Sequence, residues 1–303
     1  MRSTLGVLLL CSLGTGVACR TLPGASMSKA DSAIVATRVA RLEKALAQPD
    51  SGAGKGAAIA KWILGKGLVE ISGLTLTSDQ RLFTHADEGG RVFEVDYRSG
   101  RMLGHFDLGQ KTVHADFEAI ASVGDSLYLL ASNGILYVFR EGAKGSRVDY
   151  ATHDTGLKEA CEFEGLAFDS TISSLLMLCK NVHTKGPLQD SLVIYRWKLP
   201  LGSEAEPSRL TVPLAPIIGP NDWKSLHPSD ITVDPTSGNY VIVAADERAL
   251  LEISPSGELI FARALGPDLA HCEGVAITKD GILIISTEGR PKESAALTLF
   301  RWR

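Results

Sequence analysis

The residues of this chain best suited to chemistry are oxygen donors that recur in register. Glu118, Glu164 and Glu273 share one repeating column with Ser72 and Ser229. A second column, Asp87, Asn133, Asn181, Asp246 and Glu288, follows it after 15, 15, 17, 17 and 15 residues. A third stands two residues ahead of the first and reads Glu70, Asp116, Glu162, His227 and His271. Carboxylates gathered in one place raise one another's pKa values, a conflict that a cation relieves. Calcium takes six to eight oxygens from carboxylates, amide carbonyls and water. The expected ligand set is therefore Glu118, Glu164, Glu273, Asp87, Asn133, Asn181, Asp246 and Glu288, with Ca2+ the expected ion. Taken singly, each of these side chains could instead cap a strand of its own repeat. His85, Lys180, Arg248 and Arg290 lie beside the second column. They could hold an anionic substrate or simply neutralise the acids.

Such a register needs a repeated element to produce it. The columns sit in five related segments: Glu70-Ile-Ser-Gly-Leu, Asp116-Phe-Glu-Ala-Ile, Glu162-Phe-Glu-Gly-Leu, His227-Pro-Ser-Asp-Ile and His271-Cys-Glu-Gly-Val. Their fourth residues are spaced by 46, 46, 65 and 44. Each segment leads through a turn into an apolar β-rich run, such as Leu127-Tyr-Leu-Leu130 or Tyr240-Val-Ile-Val243, which ends at the second polar column. Apolar runs bounded by turn residues read as buried strands joined in hairpins. A period of 40–50 residues rich in short strands is the signature of a β-propeller.

The fold class is thus all-β, a propeller for which five blades are expected. Six would require a degenerate repeat in the 65-residue interval, which loops at 182–187 and 202–207 explain better. Paired antiparallel strands place the start of one beside the end of the next, so all three columns meet at one mouth of the channel. The fifth repeat stops after its third strand. Trp62-Ile63-Leu64 to Leu68-Val69 is expected to supply the missing outer strand, closing the ring and removing an exposed edge.

The chain divides into residues 1–19, an export signal, then 20–57, and a propeller at 58–303. Met1-Arg-Ser-Thr and the short apolar run Leu5 to Leu13 are too short to span a bilayer as a mature helix. They lead into Gly16-Val17-Ala18-Cys19, which resembles a lipoprotein cleavage box with Cys19 as the lipidated residue. Plain cleaved export into the periplasm and an uncleaved anchor are the other readings. Ser28-Lys-Ala-Asp31 is an N-cap signal for an amphipathic helix carrying Ile34, Val35, Val39, Leu42 and Leu46. It is expected to lie loosely on the propeller or hold it off the membrane, the alternative being a dedicated partner-binding helix. A Gly-rich linker follows at 49–56. Cys161, Cys179 and Cys272 remain in the mature body. The expected hairpin register sets Cys179 near Glu164, so unpaired cysteines are expected unless the strands bend. A net charge of −4 excludes the basic surface of a nucleic-acid binder. No Gly-x-Ser-x-Gly elbow, phosphate loop or dinucleotide fingerprint is present.

The phrases Glu70-Ile-Ser-Gly-Leu, Asp116-Phe-Glu-Ala-Ile-Ala121, Glu162-Phe-Glu-Gly-Leu-Ala-Phe-Asp169, His227-Pro-Ser-Asp-Ile231 and Cys272-Glu-Gly-Val-Ala276 resemble the SdiA-regulated family of bacterial β-propellers. The resemblance runs from about Trp62 to Arg303. It implies an exported or membrane-associated propeller linked to calcium, distantly similar to propeller phytases and esterases. Two functions follow as expectations. The first is a cell-envelope protein binding calcium and a small anionic ligand or envelope partner. The second is a calcium-dependent phosphoesterase or lactonase.

Overall fold

The computed structural model describes residues 27–48, 57–65, 67–202, 206–289 and 294–302. The expected export signal with Cys19, the expected linker at 49–56 and Arg290 lie outside them. Five sheets form five blades. Blade 1 is β2 (Ile71–Leu76), β3 (Leu82–Ala86), β4 (Arg91–Asp96) and β5 (Arg101–Leu108), and blade 2 is β6 (Phe117–Val123), β7 (Ser126–Ala131), β8 (Ile135–Arg140) and β10 (Tyr150–Asp154). Between β8 and β10 the short β9 (Arg147–Val148) crosses over and pairs parallel to β5, covering the outer edge of blade 1. Blade 3 contains β11 (Cys161–Asp169), β12 (Ser174–Val182), β13 (Ser191–Lys198) and β14 (Ser208–Pro213). Blade 4 is β15 (Pro228–Val233), β16 (Tyr240–Ala244), β17 (Ala249–Ile253) and β18 (Leu259–Ala264).

Blade 5 is β19 (Cys272–Ile277), β20 (Ile282–Thr287) and β21 (Ala296–Arg301), completed by β1 (Ala58–Ile63) from the other end of the chain. Trp62 pairs with Leu297 and Lys61 with Thr298. The closing strand therefore lies slightly earlier than expected. Leu64 and Leu68 are buried in the connection that follows it. The long interval between the third and fourth repeats holds no sixth blade. Part of its length forms the helical turn α2 (Ala215–Ile218), whose Ile217 is buried against blades 3 and 4.

The apolar runs are continuous because each sheet is sandwiched between neighbours. Within β16, Tyr240, Ile242 and Ala244 pack toward blade 3, while Val241 and Val243 pack toward blade 5. Both faces are buried, so the polar alternation of a half-exposed strand is lost. The innermost strands approach closely at the small column. A Cβ on Gly73 would sit 3.0 Å from the Cα of Ala119, and one on Gly274 would sit 3.1 Å from the Leu74 nitrogen.

Two elements correct the sequence reading. The helix α1 (Lys29–Ala47) is capped by Ser28 as expected, yet it is docked rather than loose. Leu42 is 1% exposed and joins Trp62, Tyr97 and Leu297 in the cluster that seals blades 5 and 1. Arg38 donates to the Ser99 carbonyl at 2.7 Å, and Arg301 donates to the carbonyls of Ala45, Leu46 and Gln48 at the helix end. A cation beside those terminal carbonyls also complements the helix dipole. The second correction is a disulfide between Cys161 and Cys179, with Cα atoms 5.7 Å apart. Register shifts at Glu162/Phe163 and Phe163/Gly165 supply the bend, so that Cys161 faces Val182 and Phe163 faces Cys179. Cys272 is buried and unpaired, and burial pushes its thiol up to about 12.

Candidate cation site at the channel mouth

All five inner strands start at the same mouth, and the Glu118 column defines its inner rim. Ser72 donates to the Glu118 carbonyl of blade 2 at 3.2 Å, and Ser229 donates to the Cys272 carbonyl of blade 5 at 2.6 Å. These hydroxyls tie neighbouring blades. The three acids of the column are left facing one another. The carboxyls of Glu118 and Glu164 are hydrogen-bonded to each other. Burial, then the facing carboxylate, pushes Glu118 well above the ordinary range, so the pair retains a proton. Burial also raises Glu164, against the pull of Lys180, whose Nζ donates to Glu164 Oε1 at 2.5 Å. Glu273 is raised to about 7 by burial, then by the charges of Glu164 and Glu288.

The other predicted ligands are arranged differently. Glu288 lies with Glu273 and His271, their donor atoms all within 4.8 Å of one another. His271, from the leading column, was absent from the predicted ligand set, and its backbone φ of 57° is in the left-handed region. Asp87 accepts from the Glu88 N–H at 2.7 Å, and Asn133 accepts from the Ile135 N–H at 3.2 Å, so both cap their own turns. Asn181 donates to Glu162 at 2.7 Å. Asp246 is largely exposed and stands 3.5 Å from His227 Nδ1.

Among the neighbouring cations, His85 does not reach the mouth as an anion holder. It is fully buried, its Nδ1 is 3.1 Å from the Ala86 carbonyl, and burial lowers its pKa to about 4. Lys180 is engaged by Glu164. Arg248 is exposed on the turn between β16 and β17.

Two side chains at the mouth and axis escaped the sequence reading. Glu247 lies one residue past the second column, with its side chain only 7% exposed. It accepts from the His227 N–H and from His227 Nδ1, each at 2.9 Å, and from Ser225 Oγ at 3.2 Å. A carboxylate accepts only, so Nδ1 carries a proton, and in the neutral ring the lone pair then falls on Nε2. Asp230 occupies the column that holds Gly73, Ala119, Gly165 and Gly274 in the other blades. It is completely buried, and its Oδ2 accepts from Val275 at 2.8 Å and Leu74 at 3.3 Å. One carboxyl thus fastens blades 5, 1 and 4 across the axis.

A closed five-bladed propeller with an acidic, partly protonated mouth is the class of protein that this fold and site define. The family model described as SdiA-regulated matches residues 59–291, and the chain belongs to that family. No curated protein matches it. Among solved structures it is similar to the Myxococcus xanthus glutaminyl cyclase, at 14% identity and a TM-score of 0.53 over 80% of this chain and 95% of that one. It is also similar to the PQQ-bound aldose sugar dehydrogenase of Streptomyces coelicolor, at 14% identity and a TM-score of 0.51 over 79% of this chain and 97% of that one. Both likenesses are of fold.

Proposed function

We propose that this propeller binds a hard divalent cation, calcium, at its mouth and presents it to a small anionic ligand or an envelope partner. One observation carries the reading. Glu118, Glu164 and Glu273 are gathered at one rim with, among the described residues, the Lys180 ammonium against them. Such a cluster lowers stability unless something binds it, and sites kept against stability are commonly functional ones. Glu273 and Glu288 already bring their oxygens within 4.8 Å of each other and of His271, and Glu118 and Glu164 add hard oxygens on the same rim. Bound there, the ion would replace the retained proton and polarise an oxygen of the ligand.

Export forms part of the same reading. Disulfides persist in oxidising compartments, and the Cys161–Cys179 bridge suits one. Lipidation at Cys19 would hold the propeller at the cell envelope, and plain secretion would leave it in the periplasm.

Thermal melts with calcium and with chelator test the cation. Binding to the folded state alone stabilises by RT ln(1 + [L]/Kd), about 2.7 kcal/mol at a hundredfold excess over Kd. Calcium should raise the wild-type Tm. Glu164→Gln should blunt the response, and Glu258→Gln, on an exposed turn, should preserve it. A melt insensitive to chelator, or equal responses from the two variants, would leave the acids as strand caps.

A further inference from the structure

The constellation at Ser225, His227 and Glu247 is not required for holding a cation. Ser225 and His227 both point at Glu247, and Ser225 Oγ lies 3.5 Å from His227 Nδ1, on the same side as the carboxylate. A nucleophilic serine triad needs its hydroxyl on the opposite ring nitrogen, so Ser225 is not a nucleophile here. What remains is an imidazole clamped by a buried carboxylate at both its ring and its backbone N–H. That clamp fixes the tautomer and orientation, as a general base requires. His227 Nε2 makes no hydrogen bond among the described residues, and the side chain is 33% exposed at the start of β15, on the mouth.

We infer that His227 is a general base for hydrolysis of an uncharged carboxylic ester or lactone docked at the mouth, with Glu247 as its positioning residue. The inference rests on the proposed cation site for its carbonyl-holding partner. Charge selects the substrate class. Asp246 and Glu247 flank the imidazole, and Glu273 lies close enough to feel Asp246. The proposed cation would offset part of that charge and admit a weakly anionic ligand, but a phosphate dianion would still meet Asp246 and Glu247 beside the imidazole, whereas an uncharged ester meets no such repulsion. Catalysis uses one water. Nε2 takes a proton from it as the water oxygen bonds to the carbonyl carbon. The carbon–oxygen bond to the alkoxide then breaks, and the proton on Nε2 passes to that alkoxide. Acid and alcohol are the products, and His227 is again neutral.

The test uses the full chain with δ-valerolactone, acid release followed by titration at constant pH, and a calcium melt run on every sample. Turnover should fall about a hundredfold or more in His227→Gly, a size typical of a lost general base. Added imidazole should restore part of it. Glu247→Gln should lower kcat with little change in KM, and Glu247→Asp should recover much of the loss. Nitrogen NMR of wild-type His227, with and without calcium, should show the proton on Nδ1, and Glu247→Gln should weaken that preference. No lactone turnover in protein that retains its calcium melt response overturns the dyad and leaves the cation reading intact. An Nε2-protonated wild-type ring overturns it as well, as does a His227→Gly variant at the wild-type rate. Turnover that depends on His227 without any calcium response would uphold the dyad and remove the cation.

Discussion

His85 and Glu273 belong to one ring, yet burial moves their titrations in opposite senses. His85 falls to about 4 from the ordinary 6.5, so the unfolded chain takes up its proton first. Its neutral burial costs nothing above pH 6.5, and stability is lost as pH falls toward 4. At 1.36 kcal/mol per unit the loss is about 3 kcal/mol. Glu273 rises to about 7, so its contribution is present below its unfolded pKa and is lost as pH rises through 7. In chelator, denaturant midpoints of His85→Leu between pH 4 and 6.5 should no longer rise with pH, and the opposing slope of the mouth acids should emerge. A wild-type slope in the variant would place the acid sensitivity elsewhere. The columns were legible because residue type repeated at fixed spacing. Asp230 broke a column of Gly and Ala, the one visible signal of its role. Glu247 left none, because the turn after β16 decides whether residue 246 or 247 faces inward.

At the scale of elements, α1 and the disulfide hold parts of the ring that the sequence reading left unattached. The helix pattern was readable from its apolar spacing. Its docking was not, since Arg301 lies at the far end of the chain and nothing local announces the contact. Leu42→Ala should cost about 2–5 kcal/mol by calorimetry or denaturant titration, the usual range for a fully buried leucine. Deleting residues through 56 should accordingly lower the Tm without causing aggregation. Deleting through 69 also removes β1, exposes the β21 edge and should cause aggregation visible by light scattering. Equal behaviour of the two truncations would contradict the closure. The bridge Cys161–Cys179 spans 18 residues and straddles the strands that carry Glu164 and Lys180. Reductant should destabilise the wild type by about 3 kcal/mol, by chain-entropy reasoning, and should leave the Cys161→Ser/Cys179→Ser variant unmoved. Simple hairpin counting hid the bridge because it assigns no bulge.

Over the whole molecule, the propeller was legible because five imperfect copies of one pattern average out the ambiguity of any single strand. The mouth was legible as a place, although the arrangement of its polar side chains was not, since Asn133, Asp87 and Asn181 turn back on neighbouring backbone or side chains. The proposed attachment to the envelope is separable from all of this. Replacing Cys19 by Ser should move the protein from the membrane to the soluble periplasmic fraction, and retention would assign the attachment to another segment. The pairing of β1 with β21 also has a consequence in time. Trp62 emerges from the ribosome early and its partner Leu297 late. Blades 1 to 4 can assemble from neighbouring sequence, but the ring stays open until Leu297 and its strand arrive. Contacts of such sequence separation form slowly. The last blade is therefore the step at which the ring closes, whichever order the other four follow.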